Sequence, residues 1–355
     1  MGRQSPAFKL DRKGKNLTMK AMILRTPGGL DNLQLQEIAD PGQPGFGEIR
    51  VAIHATSLNF HDLLVADGSI PTADQRIMMA DGAGVVEAVG DGVTEFNVGD
   101  PVVSCFFPQW PDGLPDSHVS NFALTPGDDA QGFAAEYVVR PASHFTLAPE
   151  GWSHAEAATI TTSGLTAWRA LVNDAQIKAG DTVLALGTGG VSVTALQIAK
   201  SMGARVITTS SSDEKLERAR ALGADETINY REQPDWGKVV QALTRNNGAD
   251  IIIEVGGPGT MAQSIDAVRT GGHIALIGVL TGREGTIPTS KLMAKQARIQ
   301  GLTVGNRRQQ QEFIRALNQT RIRPVISDTF TLATLPDAFR HQQSAAHFGK
   351  ICVEW

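Results

Sequence analysis

The residues Gly187-Thr188-Gly189-Gly190-Val191 carry the clearest chemical signal in the chain. They lie between the apolar run DTVLALG, which predicts a strand, and the amphipathic run VSVTALQIAKSMG, which predicts a helix. Glycines at such a turn let the backbone approach a pyrophosphate, and free amide groups at the helix start stabilise its negative charge. Ser192 stands where the dinucleotide fingerprint usually has its third glycine, so a purely structural tight turn is the alternative. We expect a dinucleotide to bind here.

The end of the next strand indicates which dinucleotide binds. In folds that bind NAD an acidic residue at this point holds the ribose hydroxyls, but here the position falls on Ser210, followed by Ser211. These small neutral residues do not repel an added 2′-phosphate, and Lys215 is placed to neutralise it. The alternative is that Asp213 and Lys215 are a solvated helix start, which Ser211 and Glu214 would open as a capping box. We therefore expect NADP(H), with NAD(H) as the second possibility.

Two patterns of elements must position these residues. From Lys20 to about Pro149, short β-rich runs such as EIRVAIHATSL and FAAEYVVRP alternate with Gly and Pro clusters, which is typical of a barrel-like all-β unit. From Asp181 apolar strands alternate with helices, which predicts an α/β unit with a doubly wound parallel sheet. From about Gln309 the chain resumes helix and strand, and RRQQQEF predicts an exposed helix start.

Composition narrows the function. A chain of 355 residues suits two domains, and a net charge of -5 gives no general attraction for nucleic acid or anionic membranes. Two cysteines exclude a disulfide framework and a four-thiolate zinc site. Residues 1–18 read as a polar tail without the apolar stretch of a secretory signal, and no run is long and apolar enough to span a membrane. We expect a cytoplasmic protein with a small-molecule substrate and no nucleic-acid or membrane partner.

After Met19 the chain resembles the medium-chain dehydrogenase/reductases, in particular their zinc-independent branch of quinone oxidoreductases and alcohol-dehydrogenase-like proteins. The resemblance is carried by LNFHDLL, DGAGVVEAVGDGVTEFNVGDPV, AATITTSGLTAWRAL, LALGTGGVSVTALQIAK, SSSDEKLERARALGAD, INYRE, GGHIALIGV and HFGKICV. It implies a GroES-like catalytic domain formed by residues 19–163 and 307–355, and a Rossmann domain formed by residues 164–306. Cofactor and substrate would share the cleft between them.

The resemblance also implies that no metal is bound. The positions that hold the catalytic zinc in zinc-dependent members correspond to Asn59, Ala80 and Thr162, none of which is a good zinc ligand. The nearby Asp62 and Asp81 make a poor replacement set. The segment that matches the structural-zinc lobe has one thiol.

Further site residues follow from the same resemblance. Asn59 would lie near the nicotinamide, and Thr166 would pack against its ring. The 2′-phosphate contacts would be Lys215 and Tyr230. Residues at strand ends or near the C-terminus complete the expected cofactor contacts: Gly256, Gly278, Val279 and Lys350.

The catalytic candidates are Asn59, His61 and Asp62, with the Asn59 amide and the His61 imidazole as hydrogen-bond donors to a reacting oxygen. His61 could instead cap a helix or pack, and Asp81 could be a buried partner of backbone groups or of Arg76. Enoyl-thioester reductases have a tyrosine acid in the following loop, which is absent from VADGSIPTADQRI. This absence disfavours acyl thioesters.

The sequence therefore predicts a zinc-independent, NADP(H)-dependent oxidoreductase that transfers hydride to a quinone, an enone or a related small carbonyl compound. Such a substrate spreads the developing charge itself and needs no Lewis acid. The alternatives are a metal-free alcohol dehydrogenase and an NADPH-binding sensor with little turnover.

The segment Phe106–Trp110 would line the substrate wall or fill the vacant zinc lobe. We also expect a homodimer, because residues 298–304 read as an apolar edge strand.

Overall fold

The structure is a computed structural model that describes residues 17–355. Residues 1–16 of the predicted polar tail therefore lie outside the described residues. The first strand already begins at Thr18, inside the range predicted for the tail.

The first half of the chain is mainly β-structure. Its elements are β1 (Thr18–Leu24), β2 (Leu33–Ala39), β3 (Glu48–Ser57), α1 (Phe60–Ala66), β4 (Arg76–Ile77), β5 (Ala83–Val89), β6 (Pro101–Ser104), α2 (Ser117–Ser120), β7 (Tyr137–Pro141), β8 (Phe145–Leu147) and α3 (His154–Ala158). The strands β2, β1 and β4 form one small sheet in that order.

The helical run that begins with α3 continues to Asp174. It passes through a π-helical segment (Ile160–Gly164), α4 (Leu165–Trp168) and a second π-helical segment (Arg169–Asp174). π-Helical turns inside α-helices are rare and occur frequently at functional sites. The first of them contains Thr162.

The next part of the chain is a parallel α/β unit. Its elements are β9 (Thr182–Leu186), α5 (Gly190–Ser201), β10 (Arg205–Ser210), α6 (Asp213–Ala221), β11 (Glu226–Asn229), α7 (Trp236–Leu243), β12 (Ala249–Glu254), α8 (Pro258–Ala267), β13 (Val268–Leu276), α9 (Thr289–Lys295) and β14 (Arg298–Gly301). The six strands are parallel in the order β11-β10-β9-β12-β13-β14. The strand order reverses between β9 and β12, where folds of this class open a crevice for a ligand.

The C-terminal segment returns to the β-rich half. It contains α10 (Arg307–Gln319), β15 (Ile326–Thr331), α11 (Leu335–Gln343) and β16 (Lys350–Glu354). Strand β16 pairs antiparallel with β3, so that Cys352 lies opposite Ser57. The second sheet has the order β15-β16-β3-β5-β6-β8, with β7 also paired to β3. The predicted combination of a β-rich unit and a doubly wound parallel sheet is confirmed, while the exact division at residues 163/164 and 306/307 stays a prediction.

Two local predictions need correction. The residue that caps α6 is Ser212, whose hydroxyl accepts from the Lys215 amide, and not Ser211. The Gln-rich stretch is not uniformly exposed, because Gln310 is fully buried and donates to the Ser104 carbonyl at 3.0 Å and to Thr146 at 2.8 Å. Among residues 17–355, no helix combines the length and apolarity needed to cross a bilayer.

Candidate active site

The glycine loop joins β9 to α5 and leaves room for a ligand. Gly187 has a φ of +76°, a conformation that favours glycine. A Cβ added at Gly187 or at Gly189 would meet nothing within 4 Å. Gly189 caps α5 without a side-chain hydrogen bond, so the first amide groups of this helix have no side-chain partner. The loop therefore has room for a pyrophosphate, and the binding that the sequence predicts there stays a prediction.

Gly190 and Ser192 have structural roles in the same loop. A Cβ at Gly190 would lie 2.5 Å from Cδ of Lys350 and 3.2 Å from Cβ of Ser163. The missing side chain at this position thus leaves room for the Lys350 stem, whereas the predicted role of Gly190 was a contact with the cofactor. The Ser192 hydroxyl donates to the Leu186 carbonyl at 2.6 Å and ties α5 to β9.

The chain segment before β16 runs beside the glycine loop. The Gly349 amide donates to the Thr188 carbonyl at 2.9 Å, and Gly349 forms an isolated bridge with Gly189. Lys350 follows directly, so this contact fixes where the lysine enters the protein interior.

Lys350 is buried beneath the loop, with 4% of its surface exposed. Its ammonium donates to the Asn59 side-chain oxygen at 2.6 Å and to the Leu58 carbonyl. Burial lowers its pKa, while the nearby Asp81 opposes that shift. A contact of this lysine with the cofactor was expected from the resemblance, but in this structure its ammonium points to Asn59.

The Asn59 amide is fully engaged. Its nitrogen Nδ2 donates to the Asp81 carboxyl at 2.8 Å and to the Asp62 carboxyl at 3.0 Å. Asp62 also accepts from the Asn59 and Ala80 backbone amides and so anchors the start of α1. In this structure Asn59 has no spare N–H for a substrate oxygen, which differs from the donor role expected of it.

Asp81 is the fully buried centre of this group. Its oxygen Oδ2 accepts from the Ser57 hydroxyl at 2.5 Å as well as from Asn59, and its oxygen Oδ1 lies 2.6 Å from the Thr162 hydroxyl. Burial raises the pKa of Asp81, and Lys350 acts in the opposite direction.

Of the partners suggested for Asp81, Arg76 is wrong. Arg76 directs its Nε to the Thr72 hydroxyl at 2.9 Å. From the sequence, Thr162 was recognised only as a position that lacks a zinc-ligand side chain. No local pattern indicated that its hydroxyl would contact Asp81, which lies just before β5.

The predicted phosphate-binding residues lie near the ends of two neighbouring strands, β10 and β11. Ser210 is buried, and its carbonyl accepts from the Tyr230 amide at 3.1 Å. Tyr230 is 41% exposed. Lys215 lies in the first turn of α6, where its ammonium donates to the Ala345 carbonyl. Burial, followed by the charge of Arg218, lowers the pKa of Lys215.

The ends of β12 and β13 are shaped by a residue that the sequence analysis missed. Glu254 is fully buried and its Oε1 accepts from the Gly256 and Gly257 amides at 2.8 and 3.0 Å. A Cβ at Gly278 would lie 2.2 Å from the Val255 carbonyl oxygen, so these two strand ends are in close contact. Glu254 is the acidic residue that interrupts the apolar run IIIEVGG, and this interruption could have identified it from the sequence.

Two other expected cofactor contacts differ in their surroundings. Val279 is 41% exposed just beyond β13. Thr166 is buried, and its hydroxyl donates to the Thr162 carbonyl at 2.7 Å. The Thr166 methyl group is therefore the part left for packing against a ring.

His61 lies in an aromatic cluster. Its ring stacks on Phe122 with centroids 5.1 Å apart and meets the edge of Phe106. Nε2 lies 3.2 Å from the Asp128 carboxyl, although without hydrogen-bond geometry. In this structure His61 is therefore a packed side chain, which was the alternative to a role as hydrogen-bond donor.

The aromatic loop after β6 is packed. Phe106, Phe107 and Trp110 are each 5% exposed or less and form a cluster with Leu165 and Val304. This segment was expected either to line the substrate wall or to fill the vacant zinc lobe, and its burial agrees better with the second.

Comparisons with known proteins address the family. The model of the alcohol dehydrogenase GroES-like domain matches residues 45–150, and that of the zinc-binding dehydrogenase matches residues 190–319. A zinc-type alcohol dehydrogenase-like protein of Schizosaccharomyces pombe is 38% identical over 92% of this chain and 96% of its own length. A solved structure from Sinorhizobium meliloti 1021, named as a candidate alcohol dehydrogenase, is 41% identical with a TM-score of 0.90, covering 96% of this chain and all of the other. Another, named an NAD-dependent alcohol dehydrogenase, is 36% identical with a TM-score of 0.86, covering 95% and 100%.

The chain belongs to the medium-chain dehydrogenase/reductase superfamily. It is accordingly an NAD(P)H-dependent oxidoreductase with a GroES-like domain and a Rossmann-type parallel sheet.

Zinc appears in the names of one matching family model and of the Schizosaccharomyces pombe relative, but it does not fit the residues present here. In this dehydrogenase/reductase Asn59 and Thr162 are linked through Asp81, and Ala80 offers no ligand side chain. The Lys350 ammonium lies 3.9 Å from the Asp81 carboxyl, where it would repel a cation. No group of three His, Cys, Asp or Glu side chains suited to a metal occurs between residues 17 and 355.

Proposed function

We propose that this protein is an NADP(H)-dependent, metal-independent oxidoreductase that transfers hydride to a quinone, an enone or a related small conjugated carbonyl compound. One observation carries the proposal: the ammonium of Lys350 is hydrogen-bonded to Asn59 at the position that matches a zinc ligand in zinc-dependent members. A site that holds its own cation and lacks ligand side chains is suited to substrates that need no Lewis acid.

The chain's own residues bind and orient the reactants. The open face of Gly187 and Gly189 accepts the pyrophosphate, and Thr166 lies along the π-helical run beside it. The bound nicotinamide cofactor supplies the hydride. The aromatic cluster of Phe106, Phe107 and Phe122 packs as a lobe filling, and Phe106 and Phe122 hold the ring of His61.

The choice of NADP(H) rests on Ser210, Ser211, Lys215 and Tyr230. Ser210 is neutral, so no carboxylate stands at the strand end to repel a 2′-phosphate. Lys215 can exchange its hydrogen bond to the Ala345 carbonyl for a charge-assisted bond to phosphate. Since one solved relative is named NAD-dependent, the proposal for this chain depends on these residues and not on the relatives.

A homodimer is part of the proposal. β14 is an edge strand of the parallel sheet, and its backbone can pair with a second copy. Apolar side chains on the flanking segments are exposed: Val279, Leu280, Ile287 and Met293.

We also propose a cytoplasmic location, because Cys105 and Cys352 are buried and unpaired, which suits a reducing compartment.

The proposal is tested with protein purified without a metal-affinity column. We expect no stoichiometric zinc by elemental analysis, and unchanged turnover in chelator. NADPH oxidation is then followed with a panel of quinones, enones and aldehydes, and NADH is compared under the same conditions. One tightly bound zinc per chain would refute metal independence.

The same assay separates the alternatives. The printed names of the relatives favour an alcohol substrate, so primary and secondary alcohols are assayed with NADP+ in the reverse direction. Turnover of alcohols alone would establish the metal-free alcohol dehydrogenase. Tight NADPH binding with no oxidation by any compound would favour the sensor.

A further inference from the structure

Three ionisable side chains are buried together around Asn59. Asp62, Asp81 and Lys350 have 2%, 0% and 4% of their surfaces exposed. A buried set with net charge is much more costly than a neutral one, because the charges lose their hydration. With both carboxyls ionised the set carries a net charge of −1, whereas one additional proton on a carboxyl makes it neutral.

The hydrogen bonds indicate which carboxyl holds that proton. Asp62 receives N–H donors at both oxygens, two from Asn59 at Oδ2 and one from the Ala80 amide at Oδ1. An N–H group cannot accept, so this carboxyl is held as the carboxylate. Burial raises the pKa of Asp62 to about 6, which still leaves it ionised at neutral pH.

The two oxygens of Asp81 are not equivalent. Oδ2 receives an N–H from Asn59 and is the oxygen recorded 3.9 Å from the Lys350 ammonium. Oδ1 faces the hydroxyl of Thr162, which can accept a hydrogen bond as well as donate one. The neutral arrangement therefore has a proton on Oδ1 directed at Thr162.

Thr162 is the point at which this buried set approaches the cofactor site. It is half-buried, whereas Asn59, Asp62, Asp81 and Lys350 are all buried. Its neighbour Ser163 packs against Gly190 at the start of α5, beside the proposed pyrophosphate site. If Thr162 accepts from Asp81, its own hydroxyl hydrogen is released to donate elsewhere.

We propose that Asp81 is the proton donor of the reaction and that it acts through the hydroxyl of Thr162. This inference rests on the proposed function. Reduction of a C=C–C=O group adds the hydride, taken from the reduced nicotinamide, to the β-carbon, and the alkene electron pair moves toward the carbonyl oxygen. The Thr162 O–H bond breaks as a new O–H bond forms on that oxygen, and the Asp81 O–H bond breaks as its proton passes to Thr162. The products are the enol of the reduced substrate, the oxidised nicotinamide and the Asp81 carboxylate.

The rest of the set stabilises that carboxylate. Ser57 and Asn59 already donate to Oδ2, and the Lys350 ammonium is the nearest positive charge. Lys350 is thus a positioning residue, which holds Asn59 and offsets the charge left on Asp81. Water returns a proton to Asp81 through Thr162 before the next turnover.

The decisive variant is Asp81→Asn, because it preserves the hydrogen bonds of the protonated acid. Its amide oxygen can accept from Ser57 and Asn59, and its NH2 group can donate to Thr162, but it has no proton to transfer. We expect cofactor affinity and melting temperature close to those of the parent protein, with single-turnover NADPH oxidation slowed by about 10²–10⁴-fold. Thr162→Val should cause a similar loss, and Thr162→Ser, which restores the hydroxyl, should recover most of the rate.

A second measurement does not depend on turnover. Infrared difference spectra of Asp81→Asn against the parent protein at pH 7 should show the loss of a protonated-carboxyl C=O band that shifts in D2O. Asp128→Asn, which changes a carboxyl near His61, should retain the band. An Asp81→Asn protein that reduces substrate at the parent rate, or spectra without the band, would overturn the inference. Failure of the parent protein on every substrate would instead refute the proposed function, and the infrared result would still decide where the proton is held.

Discussion

The ammonium of Lys350 donates to the side-chain oxygen of Asn59 at 2.6 Å, although the two residues are 291 positions apart in the chain. The pairing of β16 with β3 brings the C-terminal lysine to the start of α1. This contact joins the cofactor loop, which packs on the lysine stem, to the carboxyls that surround Asn59.

Replacement of Lys350 by methionine should destabilise the protein. The change leaves the Asn59 oxygen unsatisfied and removes the cation that offsets the negative charge of this buried set, and loss of one partner in a buried charged set typically costs about 3–5 kcal/mol. Urea unfolding at pH 7 measures the loss. Lys238→Met, at an exposed ion pair, is the control and should leave the midpoint unchanged. Equal midpoints for both variants would show that the Lys350 network contributes little.

Lys215→Ala should change cofactor preference. Only NADPH carries the 2′-phosphate, and a charge-assisted hydrogen bond contributes about 1.5–3 kcal/mol, so NADPH affinity should fall roughly 10- to 100-fold while NADH affinity changes little. Fluorescence titration with both cofactors provides the comparison. The matched control is Lys178→Ala, which changes an exposed lysine just before β9, at the end of that strand away from the glycine loop. A similar loss for the two cofactors would contradict the assignment.

Two adjacent glycines should respond differently to alanine. Gly189→Ala adds a methyl group in open space at a φ of −79°, so the fold should be unaffected while the pyrophosphate is obstructed. Gly190→Ala places a methyl group 2.5 Å from the Lys350 stem and should lower the free energy of unfolding by about 1–3 kcal/mol. Thermal unfolding and NADPH titration of both variants separate the effects. Unchanged stability in Gly190→Ala would show that Lys350 moves aside at little cost.

His273 should make stability depend on pH. Burial, and then the charge of Arg298, lowers its pKa from 6.5 to about 4. Its Nδ1 accepts from Arg298 at 2.8 Å, and protonation would abolish that bond. The unfolded chain therefore binds more protons between pH 6.5 and 4, so this stability is complete above pH 6.5 and is lost as the pH falls, by about 3 kcal/mol at most.

The histidine prediction is checked by urea unfolding from pH 7 to pH 4. His273→Gln keeps a neutral acceptor for Arg298 and should flatten the decline relative to the parent protein. His118→Gln, at an exposed site, should follow the parent profile. A profile unchanged in His273→Gln would assign the acid sensitivity to other groups.

The proposed homodimer should depend on exposed apolar residues near β14. Leu280 and Met293 are 57% and 74% exposed, and a paired Leu280→Asp, Met293→Asp variant would place charges in the interface. We expect sedimentation at micromolar concentration to show a dimer for the parent protein and a monomer for the variant. Leu114→Asp, at a 91% exposed leucine elsewhere, should remain dimeric. A monomeric parent protein would refute the proposal.

The sequence by itself determined the features that depend on local order. Runs of apolar residues gave the parallel strands, and glycines between β9 and α5 gave the turn, because side-chain periodicity and φ preferences act over a few residues. The neutral residue at Ser210 and the missing ligand side chains at Asn59, Ala80 and Thr162 are likewise readable directly from residue types.

Only the tertiary structure decided how the site residues interact. Asp81 and Thr162 are 81 positions apart, and their contact depends on how the helical run after β8 packs against β3 and β5. The position of Gln310 also depends on tertiary packing. Its polar neighbours in the sequence predicted exposure, but its amide donates to buried groups of Ser104 and Thr146. Strand register and helix packing set these distances, and neither is encoded in the spacing of the residues that meet. For that reason the sequence identified Asn59 as a candidate donor, whereas the structure directs its side-chain N–H groups to two buried carboxyls.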